Sequence, residues 1–245
     1  MSLRHALATG ALAPVLLAQG RRLSRTVPSL PEPAGARSGA SGSGPLLRLL
    51  VAGDSAAAGV GAQTQDDALT GRIVAGLAPS FHVRWKLLAF TGAMTADMLD
   101  HLEQAPAEHF DVVLASLGVN DVTGRCPLGR WRRQQEQLIA LLRDKFHARH
   151  LLLSGLPPMH RFPALPQPLR WYIGSRACDF DRALAELVRN QPGAEFVRLG
   201  YGMMNRQAMA ADGFHPGPAI YALWAAEVVR RIVARIQNIE PELAA

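Results

Sequence analysis

The chain of 245 residues alternates short apolar runs with longer segments of helical spacing. The first run, Leu46 to Ala52, is apolar except at Arg48, as expected of a strand that is buried on both faces of a sheet. Further runs of strand length follow at 82–90, 111–117, 151–153 and 195–199. Strands that alternate with helices form right-handed parallel βαβ units. We therefore predict a three-layer α/β/α open sandwich with a five-stranded parallel sheet in flavodoxin-like order.

Helical spacing predicts helices between and after these strands, at 66–78, 94–104, 127–147, 168–190 and 218–236. Pro127 suits the first turn of its helix, where the missing N–H is not needed. In an open sheet of this kind, ligands bind beyond the carboxyl ends of the strands. That rule separates candidate site residues from polar residues at the opposite edge.

Composition divides the chain into three parts. Residues 28–45 are rich in Pro, Gly, Ser and Ala and predict a flexible linker, because they offer little apolar surface to bury. The compact α/β domain is expected over 46–240. Residues 1–27 contain the apolar run Ala6–Ala18 followed by arginines, too short for a bilayer span of roughly 20 residues. They predict a peripheral helix on the domain or on a membrane surface, and thus a cytoplasmic or peripherally membrane-associated protein, with a secreted or periplasmic one as the alternative.

Charge and cysteine content restrict the partners. The formal charge is +6, but no dense run of cations alternates with aromatic residues, so nucleic-acid binding is not expected. Cys126 and Cys178 form neither a C-x-x-C pair nor a zinc pattern, and we interpret them as two independent reduced thiols. We expect no metal and no organic cofactor. The oligomeric state does not follow from the sequence.

Ser55 lies just beyond the carboxyl end of the first predicted strand, in Gly53-Asp54-Ser55. Small residues follow it, and they leave room for a substrate to approach a nucleophilic hydroxyl. The alternative is an ordinary turn in which the Asp54 or Ser55 side chain binds local backbone.

A nucleophilic serine requires a base, and most of the eight histidines are poorly placed. Three of them open or precede strands and lie at the opposite edge: His82, His109 and His150. His147 follows Asp144 by three residues, but both end a helix and lie at that same opposite edge. His160 follows the fourth strand on the correct side, with no acid close in sequence.

Asp212 and His215 remain, in the loop between the fifth strand and the last helix, at the same edge as Ser55. A separation of three residues in a loop lets the carboxylate reach the imidazole, fix its tautomer and stabilise the imidazolium. The alternative is a loop whose Asp and Pro216 only start a helix. Acyl transfer also needs donors for an oxyanion, and Gly92 and Asn120 follow the second and third strands, where they are equally typical turn residues.

In these blocks the chain resembles the SGNH/GDSL hydrolase family. The family's four blocks occur in order as Gly53-Asp54-Ser55, Thr91-Gly92, Gly118-Val119-Asn120-Asp121 and Asp212-Gly213-Phe214-His215, over roughly residues 46–237. The resemblance implies that Ser55 attacks, that His215 moves the proton and that Asp212 orients His215. It also implies an oxyanion hole formed by the Ser55 and Gly92 amides and Asn120 Nδ2, with Asp54 supporting the turn. Alanines after Ser55 depart from the bulkier residue of many members, which leaves the local pocket wall undefined.

The expected function is hydrolysis of a small-molecule ester, thioester or lipid through an acyl-enzyme. The loop 157–176, with Phe162, Leu165, Trp171 and Tyr172, is expected to form a substrate wall, although these side chains would equally pack on the core. The alternatives are a lysophospholipase or lipase that contacts a membrane through the N-terminus, and a non-catalytic basic binding module on the same fold.

Overall fold

The computed structural model describes residues 3–199 and 206–243. The strands are β1 (Ser38–Ser41), β2 (Leu46–Gly53), β3 (His82–Ala89), β4 (Val112–Ser116), β5 (His150–Ser154) and β6 (Ala194–Val197). The helices are α1 (Leu3–Thr26), α2 (Ser55–Ala58), α3 (Leu69–Leu77), α4 (Thr95–Gln104), α5 (Val119–Thr123), α6 (Leu128–Asp144), α7 (Leu169–Arg189) and α8 (Pro218–Leu243). A short 3-10 helix spans Met159–Arg161. Each predicted strand and long helix is present, and its ends agree with the prediction within a few residues. The exception is the end of α8, which lies beyond the predicted end at 236.

The strands form one sheet in the order β1-β3-β2-β4-β5-β6. The last five run parallel, with β2 between β3 and β4, which confirms the predicted flavodoxin-like order. The sheet also has a sixth strand that the sequence did not predict. This strand, β1, pairs antiparallel with β3 at the edge of the sheet.

Both faces of the sheet are covered, as the apolar strands predicted. Along β2, Leu50 and Ala52 contact one core, whereas Leu49 and Val51 contact the other, because side chains alternate across a strand. The first core is completed by α4, α6 and α7, and the second by α3 and α8. The protein is therefore the expected three-layer sandwich, in which β4 and β5 are buried over their whole length.

The segment 28–45 is not the flexible linker that its composition predicted. It contains β1, and the residues before β1 also contact the domain: the Ala34 carbonyl accepts the Gln65 amide at 2.9 Å, and the Arg37 carbonyl accepts the Leu87 amide at 2.7 Å. All four residues of β1 are exposed. Composition could not predict this strand, because backbone hydrogen bonds and not buried side chains hold it to the sheet.

Helix α1 lies on the domain. Leu16 is buried against the core, and the Gln19 side chain accepts the Leu169 amide at 3.1 Å and donates to the Gln167 carbonyl at 2.7 Å. The other face of the helix exposes Val15 and Leu17. Among the described helices, none combines the length and apolar character needed to cross a bilayer.

Candidate active site

Ser55 begins the short helix α2 directly after β2. The preceding Gly53 packs so closely on β4 that a Cβ there would lie 2.4 Å from the Ser116 carbonyl oxygen. Asp54 fixes the turn, since its amide donates to the same carbonyl at 3.1 Å and its Oδ1 accepts the Ala56 amide at 3.0 Å. Burial raises the pKa of Asp54 to about 6. These contacts place the Ser55 hydroxyl at the carboxyl edge of the sheet.

His215 lies within hydrogen-bonding distance of Ser55. The distance from His215 Nε2 to Ser55 Oγ is 3.0 Å, although 160 positions separate the two residues in sequence. The other ring nitrogen, Nδ1, is 2.5 Å from Asp212 Oδ2. If Nδ1 carries the ring proton and donates a hydrogen bond to this carboxylate, Nε2 is unprotonated and can accept a hydrogen bond from the serine hydroxyl.

The Asp212 carboxylate is held in place by the loop that carries it. Its Oδ1 accepts the backbone amides of Phe214 at 2.9 Å and His215 at 3.0 Å, and its side chain is fully shielded from solvent. Burial alone would raise the pKa of Asp212, but hydrogen bonds from the His215 ring and from the two amides outweigh it and hold the pKa below its usual range. Asp212 therefore stays ionised beside the imidazole.

The two expected oxyanion donors lie at the turns after β3 and β4. Gly92 has a positive φ of +84°, a backbone conformation that residues other than glycine rarely adopt. Asn120 Nδ2 donates to the Ala93 carbonyl at 3.0 Å, so the side-chain amide is attached to the turn that contains Gly92. One of the two protons on Nδ2 is used in this bond, and the second remains for another acceptor.

A buried polar network surrounds Asp121, the residue after Asn120. Oδ2 of the adjacent Asp121 accepts both the amide and the hydroxyl of Thr95, at 3.1 and 2.9 Å. The Thr95 hydroxyl also accepts Trp131 Nε1 and Gln135 Nε2, each at 3.1 Å. Burial raises the pKa of Asp121. This network joins the beginnings of α4 and α5, and no motif in the sequence marks it.

A small apolar cavity of about 40 Å³ opens beside Ser55 and His215. Its wall includes Leu156, Pro157 and Phe162 from the loop after β5, together with Phe214. Of the four side chains expected to form a substrate wall, only Phe162 is among the residues that line this cavity. Leu165 instead packs in the core, Trp171 and Tyr172 belong to α7, and Tyr172 lies beside α1.

The histidines that were not chosen as the base have other neighbours. His147 follows the end of α6 and contacts His109, with ring centroids 6.3 Å apart. His150 at the start of β5 is paired with Glu195 at 2.9 Å. His160 lies in the 3-10 helix and packs against Gly174 of α7. Within 3–199 and 206–243, no three metal-ligating side chains converge, and both cysteine thiols are free.

The fold and these distances define a class of protein. A serine, a histidine and a carboxylate that are hydrogen-bonded in series at the carboxyl edge of an α/β sheet form the arrangement found in serine hydrolases. The model of the GDSL-like lipase/acylhydrolase family matches residues 51–223, more than half of the chain. The chain belongs to this family, and it is a hydrolase that acts on ester bonds.

Solved structures support the fold assignment. An acetylxylan esterase from Geobacillus stearothermophilus superimposes with a TM-score of 0.59 at 17% identity, over 78% of this chain and 95% of that chain. A psychrotrophic esterase from Pseudoalteromonas sp. gives 0.60 at 16% identity, over 78% and 98%. A lipase/acylhydrolase from Enterococcus faecalis gives 0.53 at 20% identity, over 77% and 96%. A search of curated protein sequences finds no match to this chain.

Proposed function

We propose that the protein is a serine esterase in which Ser55 is the nucleophile, His215 the general base and acid, and Asp212 the residue that orients His215. The observation that carries this proposal is the series of two hydrogen bonds from Ser55 Oγ through the His215 ring to Asp212, of 3.0 and 2.5 Å. Family membership independently gives the class of reaction.

In the first half of the reaction, His215 Nε2 takes the hydroxyl proton while Ser55 Oγ bonds to the ester carbonyl carbon. The tetrahedral intermediate collapses, the protonated imidazole gives its proton to the leaving alcohol or thiol, and an acyl-serine remains. Water then attacks the acyl-serine, with His215 again as base, and the carboxylic acid is released. Asp212 stays ionised throughout and stabilises the imidazolium.

The developing oxyanion needs hydrogen-bond donors fixed before the reaction begins. We assign this role to the Ser55 amide, the Gly92 amide and the second proton of Asn120 Nδ2. The bond from Asn120 to the Ala93 carbonyl supports the assignment, because it ties the side-chain donor to the turn that contains the backbone donor.

Replacement of Ser55 tests the nucleophile. With 4-nitrophenyl acetate as substrate, Ser55→Ala should reduce kcat by about 10⁶-fold, the scale for the loss of a triad serine. Ser80→Ala serves as the matched control, since Ser80 is exposed beyond the far end of α3. Turnover by Ser55→Ala within tenfold of the wild type would remove Ser55 from the reaction and would favour another group or a binding role.

The size of the cavity favours a short acyl group. One water-sized group needs roughly 10–15 Å³, so a volume of about 40 Å³ holds about three such groups. We expect kcat/KM for 4-nitrophenyl acetate to exceed that for the octanoate at least tenfold. Equal values for the two esters would contradict the short-acyl proposal and leave the nucleophile untouched. The same panel with acetyl thioesters distinguishes an esterase from a thioesterase.

A membrane-surface role is a second proposal, favoured by α1. Val15 and Leu17 are exposed by 44% and 45%, close to the exposed Arg21 and Arg22. Residues 1–31 contain no acidic side chain, which suits an anionic phospholipid surface. Deletion of residues 1–27 should reduce binding to phosphatidylglycerol vesicles, with binding to phosphatidylcholine vesicles as the reference. Unchanged binding to the anionic vesicles would refute this role, and with it the membrane-associated location and the lysophospholipase alternative.

A further inference from the structure

We propose that Glu32 is a positioning residue for the reaction: its carboxylate fixes the turn after β3 so that the Gly92 amide faces the reacting carbonyl. The inference rests on the proposed function, in which Gly92 supplies one of the oxyanion donors. Glu32 lies in the segment that composition marked as a linker, and it is 59 positions from the residue that it contacts.

The turn is anchored on both sides of Gly92. On one side, Glu32 Oε1 accepts both the Thr91 amide at 2.7 Å and the Thr91 hydroxyl at 2.8 Å. On the other side, the Ala93 carbonyl accepts Asn120 Nδ2 at 3.0 Å. Gly92 is itself exposed, and a Cβ built on it would meet no described atom within 4 Å. Packing therefore does not fix Gly92, and its orientation depends on the hydrogen bonds of its two neighbours.

The carboxylate is fixed in turn by Arg37. Glu32 Oε2 accepts Arg37 Nη1 at 2.8 Å, and the same guanidinium donates to the Ala89 carbonyl at the end of β3. The Arg37 carbonyl accepts the Leu87 amide at 2.7 Å, directly before β1 pairs with β3. Burial would raise the pKa of Glu32, but hydrogen bonds from Thr91 and the charge of Arg37 keep it below its usual range. The carboxylate is therefore ionised when it accepts the Thr91 bonds.

The same segment is also linked, through Gln65, to the helix that begins with Ser55. The buried side chain of Gln65 donates from Nε2 to the Ala58 carbonyl at the end of α2, at 2.9 Å, and to the Pro33 carbonyl at 3.3 Å. Gly35 packs so closely that a Cβ there would lie 2.7 Å from Gln65 Cβ. Residues 32–37 thus contact the turn that holds Gly92 directly, and they are linked through Gln65 to the end of the helix that begins with Ser55.

Kinetics of Glu32 variants test the proposal. A positioned donor acts in the transition state, so Glu32→Ala should lower kcat for 4-nitrophenyl acetate by about 10- to 10²-fold, below the 10²- to 10³-fold scale for complete loss of an oxyanion donor. KM should stay within about threefold, since an interaction made only in the transition state lowers kcat and kcat/KM equally. Glu32→Gln retains one acceptor oxygen for Thr91 and should recover part of the loss.

Glu108→Ala is the matched control, because Glu108 accepts Lys86 Nζ at 2.7 Å in an ion pair that involves no residue of the turn. Both alanine variants should stay folded at the assay temperature, while only Glu32→Ala should lose turnover. Glu32→Ala turnover within threefold of the wild type, or an equal loss in Glu108→Ala, would overturn the proposal. If Glu32→Ala does not fold, Glu32→Leu takes its place, because leucine fills similar space but offers Thr91 no acceptor, and an unchanged kcat in that variant would overturn the proposal. A failure of the proposed function itself is detected by a different result, because Ser55→Ala would then keep its turnover.

Discussion

Replacement of Asp212 by asparagine isolates the role of one carboxylate oxygen. The amide oxygen can still accept the Phe214 and His215 backbone amides, which now bind Oδ1 at 2.9 and 3.0 Å. The amide nitrogen then occupies the position of Oδ2, 2.5 Å from His215 Nδ1. Two N–H groups cannot face each other there, so the ring must carry its proton on Nε2, where it no longer accepts the Ser55 proton.

The expected loss is large because the wrong tautomer removes the general base. In a serine protease the same exchange lowers kcat by about 10⁴-fold, and we expect a similar factor here. A 10⁴-fold loss corresponds to about 5 kcal/mol of transition-state stabilisation. Stability should change far less, because both backbone bonds have a remaining acceptor. A loss of about 1–2 kcal/mol would lower Tm by roughly 2–8 °C for a domain of this size.

The assay is steady-state hydrolysis of 4-nitrophenyl acetate together with a thermal unfolding curve for each variant. Asp179→Asn is the matched control, since Asp179 pairs with Arg182 at 3.3 Å on the surface of α7. A kcat for Asp212→Asn within tenfold of the wild type, in protein that unfolds near the wild-type Tm, would refute the argument that Asp212 sets the tautomer of His215.

Three further substitutions have defined outcomes. Asn120→Ala should lower kcat at least 10²-fold, and near-normal turnover would remove Asn120 from the site. His147→Ala should keep wild-type kcat, and inactivation in folded protein would show that His215 is not the base. Asp54 binds a proton in the folded state up to a pKa of about 6, whereas the unfolded chain releases it near 3.8. Stability should therefore fall as pH rises from 4 to 6, by up to about 3 kcal/mol. Asp54→Asn should abolish that fall in denaturant unfolding, and an unchanged pH dependence would contradict it.

The parallel sheet and the positions of Ser55 and His215 were accessible from the sequence because simple patterns encode them. Apolar runs such as Leu46 to Ala52 mark strands that are buried on both faces. The carboxyl-edge rule then selects one Asp/His pair and sets aside Asp144 and His147. Neither step required a long-range contact to be known.

Contacts between residues far apart in sequence could not be predicted from the sequence. The strand β1 has only exposed side chains, so no hydrophobic pattern marks it. Glu32 and Thr91 carry no shared motif, and their contact depends on β1 pairing with β3. Thr95 and Trp131 are ordinary helix residues until the fold brings their side chains together at 3.1 Å. These contacts hold the site in place, whereas the local motifs contain the groups that we propose to react.

Covalent labelling at Ser55 tests the central claim most directly. A fluorophosphonate reacts with a serine hydroxyl that an adjacent base has activated, and mass spectrometry of the digested protein locates the adduct. We predict one adduct per chain, on the peptide containing Ser55, and strongly reduced labelling in folded His215→Ala. An adduct on another residue, or equal labelling of Ser55 without His215, would contradict the assignment of Ser55 and His215 as nucleophile and base.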